Sequence, residues 1–246
     1  MSLIQIAKEG PVTILTLDRA ESMNPLGAPG DGDEFVRVAN AINRDMECRV
    51  VILTGAGRAF SAGGDVKAMR DKTGTFGGTT PAISDGYRDN IHLMLRALYG
   101  LRVPVIAAVN GPATVHAELA LLCDIVLCSD NASFQDSAHF HGGLVPGDGV
   151  HVVFPLLLGT NRGRYFLLTG QTLSANEAKD LGLVNEVLPR AQLLDRAWTH
   201  ARMLMQRPPL LRRYARVLLT QDLKKRMQEL LGYGLALEGL AATQRG

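Results

Sequence analysis

The sequence predicts an α/β domain with a helical C-terminal region, and three observations predict it. Through the first 190 residues, short apolar runs alternate with segments of helical periodicity. One strand–turn–helix pattern occurs twice, as VVILTG…FSAGGDVKAM and PVIAAVNGPATVHAELA. From Arg190 onward the sequence is almost all helical, broken at Pro208 and Pro209. The expected division is an α/β core over 1–190 and a helical region over 191–246.

LIQIA and VTILTL read as strands joined by the turn KEGP. NPLGAPGDG (24–32), with its prolines and glycines, reads as a loop. DEFVRVANAINRD (33–45) sets Phe35, Val36, Ala39 and Ile42 at helical spacing, which predicts an amphipathic helix. VVILTG (50–55) is a continuous apolar run, the mark of a strand buried on both faces. RAFSAGGDVKAM reads as a glycine-rich turn into a helix, KTGTFGGTTP (72–81) as a loop, and 84–101 as a helix. PVIAAVNG (104–111) is a second buried strand, and HAELALLC (116–123) the helix after it. DIVLCS and ASFQD read as short strands, NRGRYFLLTG and SANEAKDLG as helices, and LVNEVL as a last strand. The second of those helices opens with a capping box, Ser174 and Glu177, and stops at Gly182.

Composition narrows the function classes. Apolar residues make up 46% and charged residues 20%, values of an ordinary soluble globular protein. A net charge of +2 argues against a nucleic-acid surface, and RRYAR (212–216) and KKR (224–226) read as solvated helix faces. Cys48, Cys123 and Cys128 are odd in number and form no C-x-x-C pair, which fits a reduced protein with neither disulfide frame nor zinc. No metal-ligand spacing is present, so no metal is expected. The N-terminus lacks the pattern of a signal peptide, and no apolar run reaches the length of a membrane span. The expectation is a cytoplasmic protein without a membrane or nucleic-acid partner.

Backbone N–H groups at a helix start are unpaired, so two such glycine turns side by side could hold one developing oxyanion. FQDSAHFHGGLVPGDG (134–149) gathers Asp136, His139, His141 and Asp148 in a glycine-rich segment, the usual setting for chemistry on a rigid scaffold.

AFSAGGDVKAM, PVIAAVNGPA…AELALLCDIVL, GLVPGDG and LTGQTLSANEAKDLGLVNEV, in that order, resemble the crotonase family, the enoyl-CoA hydratases and isomerases. The resemblance runs from about residue 3 to 220 and implies a spiral of ββα turns, a C-terminal helical region, and a homotrimer or a hexamer of paired trimers. It implies an oxyanion hole of two backbone N–H groups, at Gly64 and Val115, and a lysine facing coenzyme A at Lys67. Family hydratases use two glutamates; the first matches Glu118, while the second falls on His139. Within the family, FQDSAHF, VPGDG and NRGRYFLLTG are most similar to the β-diketone hydrolases of the 6-oxocamphor hydrolase type. Their catalytic histidine matches His139, their aspartate Asp148, their second histidine His116, and a glutamate of the last helix Glu238. A further histidine of those hydrolases falls near Gly32 here, and the acidic-then-basic ending of CoA-binding members is absent after Ala242.

The expected chemistry is hydrolytic cleavage of a 1,3-dicarbonyl small molecule, with no cofactor required. His139, oriented by Asp148, would activate water, and His116 would stabilise or protonate the enolate. Two alternatives stand beside it: an enoyl-CoA hydratase or isomerase using Glu118, with coenzyme A carried on the substrate, and a non-catalytic binder of an acyl ligand. Glu118, two residues beyond His116, should point away from it on a helix and act as acid–base group or N-terminal charge. Asp136 reads as a turn cap and His141 as structural or a pocket wall. His92, His151 and His200 read as bland, and Tyr165, Phe166 and Trp198 as core.

Overall fold

The computed structural model describes residues 3–63, 80–92 and 100–245. β1 (Ile4–Glu9) and β2 (Val12–Leu17) pair antiparallel around a turn at Gly10, whose φ of +57° suits glycine. β2 then pairs parallel with β3 (Val50–Gly55), β3 with β4 (Val105–Val109), and β4 with β5 (Ile125–Ser129). β6 (Ser133–Phe134) and β7 (Leu173–Ser174) form a small antiparallel sheet, and β8 (Glu186–Leu188) returns to the main sheet beside β5. Single bridges tie Ser61 to Ala113 and Ala113 to Phe134, both parallel, so a second layer spirals beside the first.

The helices are α1 (Asp31–Arg44), α2 (Thr80–Ile91), α3 (Glu118–Leu121), α4 (Val150–Leu158), α5 (Thr160–Thr169) and α6 (Ala175–Asp180). α7 (Arg190–Met205), α8 (Pro209–Leu219) and α9 (Gln221–Ala242) complete the chain. The capping box Ser174/Glu177 opens α6 as expected. Strand alternation assigns Val50, Ile52, Ile106 and Leu127 to the face covered by α7, where Leu193, Ala197 and Ala201 are buried. Val51, Leu53, Val105 and Ala107 face the larger core that holds Phe60, Phe134, Phe154 and Phe166. Truncating one such leucine costs about 2–5 kcal/mol, so this sheet is a stiff platform.

Two expectations need correction, and one helix has no signal in the sequence. α4 is a helix that VHVVFPLLL conceals, because an evenly apolar run containing Pro155 shows no amphipathic period. Tyr165 is 56% exposed, although Phe166 beside it is fully buried. Arg212 and Arg216 are buried rather than solvated: Arg216 Nε lies 2.7 Å from Asp124, and Arg212 donates to the Met205 and Arg207 carbonyls. Among the described residues no helix is long and apolar enough to cross a membrane.

Candidate active site

The site forms where the second layer meets α4 and α9. β4 ends at Asn110, whose side chain accepts from Gly55 N–H (3.1 Å) and donates to Gly57 O (3.0 Å), locking the ends of β3 and β4 together. The chain then pairs at Ala113, and Thr114 and Val115 both donate their N–H to Ser61 O, at 2.8 and 3.1 Å. The Val115 amide is therefore spent inside the protein, which corrects the expectation that it serves an oxyanion. The parallel bridge between Ser61 and Ala113 draws the next two amides onto that carbonyl. Gly64, its expected companion, and Lys67 lie outside the described residues.

His116 takes a left-handed conformation, φ 51°, which non-glycine residues rarely adopt and which concentrates at functional sites. α3 starts only at Glu118, so helical geometry does not relate the two residues. As a result His116 Nδ1 lies 2.8 Å from Glu118 Oε1, where the sequence spacing predicts divergence. The same nitrogen lies 3.2 Å from Asp148 Oδ2.

Asp148 precedes α4 in the VPGDG turn, and its second contact is His139 Nε2 at 3.3 Å. The other ring nitrogen, His139 Nδ1, lies 2.6 Å from Asp136 Oδ1. Asp136 is thus no turn cap: it stands three residues before His139 on a tight bend, where the two side chains share a side. Glu238 enters from α9, with Oε2 at 3.9 Å from His139 Nε2. α9 comes this close because glycines face each other: a Cβ on Gly147 would lie 2.3 Å from Gly234 O, and one on Gly234 2.4 Å from Gly147 O.

These contacts make one chain in which acid and imidazole alternate: Asp136, His139, Asp148, His116, Glu118. Glu118, Asp136, His139 and Asp148 are all under 5% exposed. Burial opposes charge on His139, but Asp148 and the hydrogen bond to Asp136 outweigh it and hold the ring well above its ordinary pKa. Burial likewise opposes charge on His116, and Glu118 and Asp148 outweigh it, pushing it up to about 9. Asp148 is held well below the usual carboxylate range; burial works against its charge, but the two histidines prevail. Burial and then Asp148 push Glu238 up to about 8 and raise Glu118. Glu118 Oε2, Asp148 Oδ1 and Glu238 Oε2 accept no hydrogen bond among the described residues. One ligand atom each of His116, Glu118 and Asp148 lies within 4.8 Å of the others, but a single proton on Nδ1 accounts for both contacts of the ring.

Beside Glu238 a pocket opens between α2 and α9, lined by Ile83, Tyr87, Asn90, Leu144 and Leu235 among others. Loop 24–32 closes the other side: Gly27 leaves space beside His116 Nε2, where a Cβ would sit at 3.5 Å. Asp31 fixes that loop through Arg19 (2.7 Å) and the N–H groups of Gly27 and Ala28.

Of the residues singled out in the sequence, His116, Glu118, His139, Asp148 and Glu238 come together. Asp136 joins them, and its spacing of three before the histidine was the one available signal. His141 is exposed against Gly170. His92 and His200 pair with Asp33 (2.8 Å) and Glu186 (2.9 Å), away from the cluster. His151 abuts Gly234 on α9, its Nε2 3.3 Å from Leu230 O, within electrostatic reach of Asp148 and His139.

A family model described as enoyl-CoA hydratase/isomerase matches residues 7–237. A probable enoyl-CoA hydratase of Mycobacterium tuberculosis is 37% identical over 218 residues, covering 82% of this chain and 71% of its own length. A probable mitochondrial enoyl-CoA hydratase of Dictyostelium discoideum is 33% identical, over 77% of this chain and 65% of its own. Among solved structures, a β-diketone hydrolase from the cyanobacterium Anabaena sp. PCC 7120, bound to (S)-3-oxocyclohexyl acetic acid, superposes with a TM-score of 0.90 at 41% identity. That match covers 99% of this chain and 95% of the other.

Proposed function

The chain belongs to the enoyl-CoA hydratase/isomerase family, and from that premise we propose that it hydrolyses the carbon–carbon bond between the two carbonyls of a 1,3-dicarbonyl. The observation that carries this reading is the unbroken chain of close acid–imidazole contacts from Asp136 to Glu118, hydrogen-bonded at its two ends. A hydratase of this family works with two carboxylates; here an imidazole flanked by acids stands at the second position. Water is a poor nucleophile until a base takes its proton, and His139 is that base. Hydroxide adds to one carbonyl, and the tetrahedral intermediate collapses with the electron pair of the carbon–carbon bond passing to the second carbonyl as an enolate. His116, cationic at neutral pH, stabilises that oxygen from its Nε2 side. Glu238, kept neutral by its surroundings, protonates the enolate carbon and recovers a proton from His139. The sum is dicarbonyl plus water giving a keto acid, and the similar Anabaena hydrolase holds a keto acid.

A second reading, hydration or isomerisation of an enoyl-CoA thioester through Glu118, is favoured by the similarity to probable enoyl-CoA hydratases. A turnover screen of cyclic β-diketones beside crotonyl-CoA separates the two. Diketone cleavage with formation of one acid per turnover is expected; hydration of crotonyl-CoA alone would replace the first reading with the second. Binding of either ligand without turnover would point to a non-catalytic member of the family.

Assembly follows the family as well. Tyr214, Leu218, Leu219 and Tyr233 on α8 and α9 are 66–81% exposed, an apolar face that a homotrimer or a pair of trimers would cover.

A further inference from the structure

In a water-activating histidine one ring nitrogen must be held and the other offered to the nucleophile. Among the described residues five ionisable groups act on His139: Asp136 on its own loop, Asp148 before α4, His151 on α4, Glu238 on α9, and His116 beyond Asp148. Asp148 and Glu238 both approach Nε2, and Asp148 Oδ2 is shared with His116. Among the described residues only Asp136 approaches Nδ1, at the shortest distance of the cluster.

The backbone around Asp136 is fixed on both sides. Gln135 N–H donates to Ala113 O (3.3 Å) and its side chain to Gly170 O (2.8 Å). Ser137 donates to Thr114 O through both N–H (3.1 Å) and Oγ (2.7 Å). His139 itself is anchored where its carbonyl accepts Leu144 N–H at 2.9 Å. Side chain and scaffold are therefore both held, as a group that orients a catalytic ring must be.

We infer that Asp136 is the positioning residue of the base, fixing the Nδ1–H tautomer of His139, so that the Nε2 lone pair faces Asp148, Glu238 and the substrate. Asp148 is left on the reacting side, with Oδ1 free to accept a hydrogen bond from the attacking water. The kinetic part of this inference rests on the hydrolytic reading above; the tautomer and the titration of His139 do not.

The test is Asp136→Asn, which keeps the size of the side chain and removes its charge, with Asp136→Ala as a second variant and thermal melts to establish folding. Histidine-labelled NMR, assigned with His139→Gln, reads the tautomer and titration of His139 directly. The expected result is a His139 titration moved to lower pH in Asp136→Asn, with the Nδ1–H form no longer dominant in Asp136→Ala. In diketone turnover the acid limb of kcat should move the same way, with a plateau lower by on the order of 10²–10⁴-fold and KM changed only a few-fold. A His139 titration and tautomer unmoved in folded Asp136 variants would overturn the inference. Absence of turnover in the wild type would instead sink the hydrolytic reading, while the NMR result still decides the role of Asp136.

Discussion

Removing His139 and Asp148 one at a time and together tests whether they form one device. General-base catalysis contributes about 10²–10⁴-fold, which is roughly 3–5 kcal/mol of barrier at about 1.4 kcal/mol per decade. His139→Ala should lose that factor. Asp148→Asn should lose at least as much, because Asp148 Oδ2 lies 3.3 Å from one histidine and 3.2 Å from the other. Independent losses of about 10³ each would multiply to about 10⁶, whereas members of one catalytic unit are not additive. The double variant should therefore fall within about tenfold of the worse single one. Decay of the enolised diketone's ultraviolet absorbance follows the reaction, with acid release as the check on stoichiometry. A double variant that loses the full product of the two single factors would refute the shared device.

Four further outcomes are expected. His139 must lose its proton to act and its pKa is raised, so the rate should climb with pH beyond the ordinary histidine value of about 6.5; Glu238 must keep its proton, so the rate should fall above about 8, and again above about 9 as His116 loses its own, and a pH–rate series of His116→Gln should keep the first alkaline step and lose the second. Glu118→Gln should cost far less than His139→Ala in diketone turnover, and the reverse order would return the chemistry to a hydratase-like site. Gly234→Ala drives a methyl into Gly147 O, so a loss of about 1–3 kcal/mol in denaturant unfolding and a reduced kcat through displaced Glu238 are expected. Light scattering at micromolar concentration should report a trimer or hexamer, and Leu218→Glu should weaken it; a wild-type monomer would contradict the covered face.

What could be read from the sequence was local. The capping box of α6 and the apolar runs of β3 and β4 are set by neighbours within a few residues, and the structure keeps them. The misreadings share a cause in long-range geometry. Val115 lost its free amide to Ser61, a pairing that no local pattern announces. Glu118 was expected to diverge from His116 because helical periodicity was extended back through a residue whose φ is 51°. Glu238 was no misreading, but only the family resemblance singled it out: it reaches the site through two glycines, Gly147 and Gly234, that are unremarkable until their backbones touch. Asp136 was the exception, a local contact passed over because aspartate in a turn has an ordinary explanation.

The alternation of acid and imidazole also explains how so much charge is kept out of water. Each histidine lies between two carboxylates, and Asp148 serves both. A buried ion is costly unless paired, and holding Glu238 neutral removes one unpaired charge from the cluster. That condition is useful to the reaction. When His139 takes a proton from water and Glu238 gives one to the enolate carbon, the protein's own charge returns to its starting value after each pair of transfers. Positive charge gained on His139 is offset by negative charge on Glu238, whose nearest oxygen is 3.9 Å from Nε2. In the proposed reaction the cluster would thus move a proton across the substrate without building net charge in a region that could not solvate it. A carboxylate pair alone has no cation to offset the second ionised acid. A histidine set between two aspartates, His139 between Asp136 and Asp148, would supply that cation when it takes the proton.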